Sequence, residues 1–92
     1  MFTISDACRK LLRKLYNRRY FGGKHTEEAG LLRSIRHLPR DEQKQALEDW
    51  NICKKEGLVI ALMKTREPHV SLNPKKLRDI EEAINLNGAE NE

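Results

Sequence analysis

The side chains that commonly do chemistry are few in this chain, and none stands in a catalytic spacing. The two cysteines are Cys8 and Cys53, and the three histidines are His25, His37 and His69. No histidine adjoins a cysteine or serine in a nucleophile motif, and no carboxylate pair lies in an apolar run, so the sequence predicts a protein that is not an enzyme. Structural zinc needs four ligands, commonly in close pairs. We therefore expect surface or capping histidines, with no metal site and no cofactor.

Cationic side chains are the more informative feature because they are unevenly distributed. The chain carries 18 Lys and Arg against 14 Asp and Glu, a net charge of +4. Residues 1–25 hold seven basic side chains and one acidic one, a balance of +6, whereas residues 26–92 hold 11 and 13, a balance of −2. This asymmetry favours an anionic partner that meets the N-terminal part of the chain. The alternative is a solvated helix face that keeps the protein soluble.

Length and composition favour one small cytoplasmic domain. Ninety-two residues can form a single modest core. No apolar run approaches the length of a membrane span, and residues 1–6 lack the layout of a signal peptide. In a reducing compartment the two cysteines are expected to be free, buried thiols. The sequence predicts no membrane association and no small-molecule ligand.

Three helices are predicted within the first 56 residues, a part of the chain that holds most of the cationic side chains. Helix one spans Ser5 to Asn17, with Ser5 as its cap. A glycine-containing loop follows, and a short strand at Lys24-His25 could join a later hairpin. Helix two begins with Thr26 as its cap, and helix three covers residues 39–56, with Gly57 after its end.

A β-hairpin and a fourth helix complete the predicted fold. Residues 58–63 and 70–72 are the two β-type runs, and Asn73-Pro74 starts the last helix as a cap and a first-turn proline. Side chains alternate along the first run, so one face of the strand carries Leu58, Ile60 and Leu62 and the other carries Val59, Ala61 and Met63. The predicted domain covers residues 1–86, and the polar tail 87–92 is expected to be disordered.

The predicted core consists of apolar residues that share one phase within each element. They are Leu11, Leu15, Leu31, Leu32, Ile35, Leu47, Trp50, Ile60, Leu62, Val70, Leu72, Leu77 and Ile80. The fold class is mainly α with a small β-hairpin (α+β), in the order α-(β)-α-α-β-β-α.

This order resembles the winged helix-turn-helix superfamily over about residues 5–85. The resemblance rests on the chain order, on Leu47 and Trp50 in helix three, on Gly57 before the hairpin, and on the segment 69–74, where a return strand runs into an Asn-Pro helix start. The segment 20–28 also resembles small stand-alone archaeal winged-helix proteins without an assigned role.

The resemblance implies a double-stranded DNA partner and a set of contact residues. Helix 39–56 would read the major groove, and the wing 64–69 would lie along the backbone or minor groove. The expected nucleic-acid-binding residues are cationic or amide side chains of helix one, the turn before helix three, helix three itself and the wing tip. They are Arg9, Arg13, Arg18, Arg19, Arg36, Arg40, Lys44, Gln45, Lys64 and Arg66.

Helix three departs from the usual pattern because its own charge is slightly negative. It holds four basic and five acidic side chains, and Asp41 and Glu48 lie on the face that should meet DNA. Carboxylates on that face weaken binding to phosphates. Three functions therefore compete: a DNA-binding regulator, a winged helix that binds protein as a homodimer or assembly subunit, and a single-strand or RNA binder acting through residues 9–24. Phe2, Ile4, Ile52 and Leu86 are the candidate homodimer surface.

Overall fold

Four helices and a three-stranded antiparallel sheet make up the part of the chain that the structure, a computed structural model, describes: residues 3–64 and 66–85. The helices are α1 (Asp6–Asn17), α2 (Glu28–Leu32), α3 (Arg40–Lys55) and α4 (Leu77–Asn85). The strands are β1 (Thr26–Glu27), β2 (Val59–Lys64) and β3 (Glu67–Leu72). Short 3₁₀ turns cover Arg33–Ile35 and Pro74–Lys76. The predicted class and element order are thus confirmed, whereas the predicted tail lies outside the described residues.

Side-chain caps begin α1 and the turn before α4, and a glycine follows the end of α3. Ser5 Oγ accepts a hydrogen bond from the Cys8 backbone N–H at 3.2 Å at the start of α1. Asn73 accepts one from Lys75 N at 3.0 Å and starts the turn that leads into α4. Gly57 adopts φ +84° after α3, a conformation that glycine enters without steric cost. These three boundaries agree with the sequence prediction.

The start of α2 differs from the prediction. Thr26 belongs to β1 and not to a helix cap, and the N-cap residue is Glu27, whose side chain makes no capping hydrogen bond. The predicted third strand exists but lies two residues later than Lys24-His25. Pairing with β3 explains both shifts, because Thr26 and Glu27 lie opposite Val70 and His69 and are held extended by that strand.

β3 is the central strand of the sheet, whose order is β1-β3-β2. Val59 pairs with Leu72 and Ala61 pairs with Val70, so these four side chains point to one face. Val59, Val70 and Leu72 are buried, which identifies that face as the core side. The predicted core phase of β2 was therefore wrong: Ile60 and Leu62 lie opposite Ser71 and His69, on the other face.

The core is formed by apolar residues of all four helices and of the base of the hairpin. Its buried members are Ile4, Cys8, Leu11, Leu12, Leu15, Leu31, Ile35, Ala46, Trp50, Cys53, Leu58, Val59, Val70, Leu72, Ile80, Ala83 and Ile84. The predicted core residues Leu47, Leu62 and Leu77 are exposed instead. The described helices include none that is long and apolar enough to cross a membrane.

One ionised side chain is held inside this core. Glu28 is 9% exposed, and its Oε2 accepts hydrogen bonds from Trp50 Nε1 at 2.6 Å and from Lys54 Nζ at 2.7 Å. Burial alone would raise the pKa of this carboxyl, but the bonds from Lys54 and Trp50 outweigh burial and hold the pKa below its usual value. The network joins α2 to α3 and orients Trp50, which is a core residue as predicted.

Candidate nucleic-acid interface

Two of the predicted α1 cations are directed at α4. Arg9 Nε donates to the Ala83 carbonyl at 3.3 Å, and Arg9 also forms a salt bridge with Asp6. Arg13 Nη2 donates to the Ile84 carbonyl at 2.9 Å. Carbonyls near the C-terminus of a helix lack intrahelical partners, so these arginines satisfy them and join α1 to α4. Arg9 and Arg13 therefore have structural contacts that compete with binding to phosphate.

The other two cations of α1 lie on a different side of the helix. Lys10 and Lys14 are exposed and line a groove of about 550 Å³ between α1, the turn after α2 and the start of α3. Arg13 and His37 also line it, as do the carboxylates of Asp6 and Glu42. The groove thus connects the basic face of α1 with the turn between α2 and α3.

The turn before α3 is held in shape by one amide. Gln43 Nε2 donates to the carbonyls of Arg36 at 3.0 Å and of Leu38 at 2.7 Å. The side chains of Arg36, Arg40 and Lys44 are exposed along this turn and the first turns of α3. Among the described residues none of these three cations forms a salt bridge, so their charges are available to an anionic ligand.

Further along α3 the outer face is mixed in charge and partly apolar. Asp41 and Glu48 are exposed, as expected, and Leu47 and Ile52 are 38% and 40% exposed. Asp49 is buried and holds Ser5 N through Oδ2 at 2.8 Å, while its Oδ1 accepts from Gln45 Nε2 at 3.0 Å.

The hydrogen bond between Gln45 and Asp49 involves one of the predicted nucleic-acid-binding residues, Gln45. Gln45 donates one of its two amide N–H groups to Asp49, so this bond restrains the side chain but leaves the second N–H for another acceptor.

Four further predicted residues lie at the ends of elements. Lys64 ends β2, and Arg66 adopts φ +73° in the hairpin turn; both side chains are exposed and free of salt bridges to other described residues. Arg18 and Arg19 are exposed just after α1, where Arg19 adopts φ +61° as the helix ends. Arg18 lies beside Lys14 in a small cleft that also touches α2.

The outer face of the sheet carries a cluster that the sequence reasoning did not identify. His25 Nδ1 lies 2.9 Å from His69 Nδ1, and the two rings meet edge to face. Donor atoms of Glu27, Glu67 and His69 lie within 4.8 Å of one another. A hydrogen bond to Glu27 and its charge raise the pKa of the Glu67 carboxyl.

A sequence signal for this cluster does exist. His25-Thr26-Glu27 and Glu67-Pro68-His69 are His-x-Glu and Glu-x-His triplets, and alternation places both ends of such a triplet on one face of a strand. The signal becomes useful only when the strands are known to pair. For Lys10 and Lys14 the signal is helical phase, since they lie away from both the apolar stripe and the α4 side of α1.

Comparison with known proteins adds no assignment: no family model, no curated protein and no solved structure matches this chain.

Proposed function

We propose that the protein is a winged-helix domain that binds duplex DNA. The observation that carries this proposal is the exposure of five cations without acidic partners among the described residues, at the two positions where such a domain meets a duplex. They are Arg36, Arg40 and Lys44 around the start of α3, and Lys64 and Arg66 at the hairpin tip. The sheet order β1-β3-β2 and the element order agree with a winged helix.

The α1 face extends this surface. Lys10, Lys14 and Arg18 are exposed, and Lys10 and Lys14 border the groove that leads to the turn before α3. Lys10 and Lys14 replace Arg9 and Arg13 as the phosphate contacts of α1, because the two arginines are bonded to α4 carbonyls, and Arg18 adds a cation just after the helix. Lysine suits this role since it contacts phosphate as a compact point charge without reading sequence.

Binding is expected to be weak and sensitive to salt. The exposed carboxylates of Asp41, Glu42 and Glu48 share α3 with the cations and repel phosphate. Measured by fluorescence anisotropy on a labelled duplex, affinity should fall between about 50 and 200 mM salt with a log–log slope of about −0.9 per phosphate contact.

A matched pair of charge reversals tests the surface. Arg40→Glu with Lys44→Glu should flatten the salt slope by about two units. Lys75→Glu with Arg78→Glu makes the same change in net charge on exposed residues and should leave the slope nearly unchanged. The control lies near the other end of α3, because a Cβ built at Gly57 would lie 3.7 Å from Cε of the neighbouring Lys76, whereas Arg40 begins the helix about 24 Å away.

Equal flattening of the salt slope in both double variants would mean that only net charge matters and would contradict the proposed surface. Absence of binding to duplex DNA at low salt would reject the function. Tighter binding of single-stranded DNA or RNA would move the site to residues 9–24.

A protein-binding winged helix is the second candidate function, and the apolar exposure of α3 favours it. Leu47 and Ile52 are exposed apolar side chains on a face of mixed charge, which suits a protein partner or a second copy better than a phosphate backbone. The homodimer surface expected from sequence needs revision, because Ile4 is 3% exposed and belongs to the core. Phe2 and Leu86 lie outside the described residues.

Sedimentation equilibrium distinguishes a homodimer from a monomer. Self-association that Leu47→Lys with Ile52→Lys abolishes would support a homodimer through α3. A single species at 10.8 kDa would reject the homodimer.

A further inference from the structure

The cluster on the outer face of the sheet combines two imidazoles with two carboxylates. Glu27 lies directly opposite His69 in the β1–β3 register. His25 and Glu67 are each two residues from a member of that pair, so all four side chains share one face. Sheet pairing brings together residues that are 40 to 44 positions apart in sequence.

The carboxylates of Glu27 and Glu67 lie close together on the exposed face, an arrangement that a bound cation would stabilise. Lys64 is the cross-strand partner of Glu67, yet among the described residues the two form no salt bridge. The Glu27 side chain is not used for capping α2, so its carboxylate remains available. In the described part of the chain neither carboxylate forms a salt bridge, so both can bind an added cation.

The imidazole contact orients one ring for coordination. The hydrogen bond between His25 and His69 joins Nδ1 of both rings, and with His69 as the donor the Nε2 of His69 carries the lone pair that a metal requires. A metal-bound histidine commonly has its second ring nitrogen held by a hydrogen bond that fixes the ring and the tautomer. His25 provides this restraint for His69.

The donor atoms are nearly close enough for one ion. Zinc binds imidazole nitrogen and carboxylate oxygen at about 2.0–2.2 Å, so two tetrahedral ligands lie roughly 3.4 Å apart. The donors of Glu27, Glu67 and His69 already lie within 4.8 Å of one another. Because both glutamates are exposed, rotation of their side chains can close the remaining distance without moving the backbone.

We propose that Glu27, Glu67 and His69 bind one Zn²⁺ ion, with His25 as a positioning residue. The mixed nitrogen and oxygen donors favour a transition metal over Mg²⁺ or Ca²⁺, which prefer oxygen ligands alone. The ion would join the two-residue strand β1 to β3 and neutralise the carboxylates beside the hairpin tip. The site is independent of whether the domain binds DNA.

Zinc titration of the tag-free protein against a chromogenic chelator at neutral pH tests the site. Wild-type protein should bind one equivalent, and Glu27→Gln with Glu67→Gln, or His69→Asn, should weaken binding at least tenfold. The glutamine variant alters only exposed side chains, so it should keep the fold, which circular dichroism without zinc will verify. His37→Asn is the control, since this exposed histidine lies outside the cluster and should leave affinity unchanged.

Equal zinc affinity of wild type and the glutamine variant, or absence of zinc binding by the wild type, would overturn the proposal. Magnesium should not compete at millimolar concentration, and effective competition would contradict the nitrogen ligand.

The role of His25 needs a separate readout. His25→Asn should lower zinc affinity about tenfold while keeping the stoichiometry. The visible absorption spectrum of the Co²⁺-substituted protein should keep its shape, because the ligand set is unchanged. A shifted cobalt spectrum would show that His25 is itself a ligand and would contradict the positioning role.

Discussion

At the scale of single residues, the most consequential side chain is Glu28, an acid in a predicted first turn that proves to be nearly buried. A buried carboxylate is stable only when charge and hydrogen bonds compensate its lost hydration. Trp50 and Lys54 provide that compensation from α3, at 2.6 and 2.7 Å. The sequence predicts Glu28 in the first turn of a helix capped by Thr26, where acids are favoured, but it cannot show that a tryptophan 22 residues later donates to this carboxylate.

We predict that this network makes folding stability fall in acid. The pKa of Glu28 is lowered in the folded state, so its contribution is fully present above the unfolded value of about 4.3 and is lost as pH falls through the lower folded value. Urea unfolding followed by Trp50 fluorescence between neutral pH and pH 3 measures this dependence.

Glu28→Gln is the matched control for that measurement. It keeps the acceptor for Trp50 but removes the charge, and should cost about 1–3 kcal/mol at neutral pH. Its stability should depend less on pH than that of the wild type. Parallel pH profiles for the two proteins would contradict the assignment of the acid effect to Glu28.

At the scale of elements, local signals predicted α1, α3 and the order of the fold, because caps and apolar stripes lie within each segment. The phase of β2 could not be predicted in this way. Both alternating sets, one containing Val59 and the other Ile60, are apolar, and only pairing with β3 decides between them. Burial also falls along the hairpin from its base at Val59 and Leu72 toward its tip, and Leu62 and Met63 are exposed although hydrophobic.

The residues of the candidate sites likewise differ in whether local sequence features predict them. Exposed cations at Arg40 and Lys64 follow from sequence, since a start of a helix and a hairpin tip are local features. The orientation of Arg13 toward the Ile84 carbonyl and the cluster around His69 are tertiary, because each requires elements that are distant in sequence to pack together.

The revised phase of β2 yields a prediction. Val59→Asp should destabilise the domain by several kcal/mol, because it buries an uncompensated charge on the core face. Leu62→Asp introduces the same charge on the outer face, at a residue that is 39% exposed, and should cost much less. Urea midpoints of the two variants provide the comparison, and a larger loss for Leu62→Asp would restore the phase expected from sequence.

At the scale of the whole molecule, one core joins the helices to the base of the sheet, so the domain should unfold as a unit. Cys8 in α1 and Cys53 in α3 are internal reporters of that unit, since both are free and 0% exposed. A hydrogen bond with Cys53, followed by burial, raises the pKa of the Cys8 thiol, and a protonated thiol is a poor nucleophile. Neither cysteine can react until α1 and α3 separate.

We therefore predict that a thiol reagent labels both cysteines slowly and at one common rate in native buffer. The rate should rise with urea in parallel with the loss of Trp50 fluorescence, because the reactive species is the globally unfolded chain. The single variants Cys8→Ala and Cys53→Ala, each of which leaves one thiol, provide the two separate rates after correction for their own stabilities. Rapid labelling of Cys8 alone would show that α1 opens independently, and the domain would then consist of two folding units rather than one.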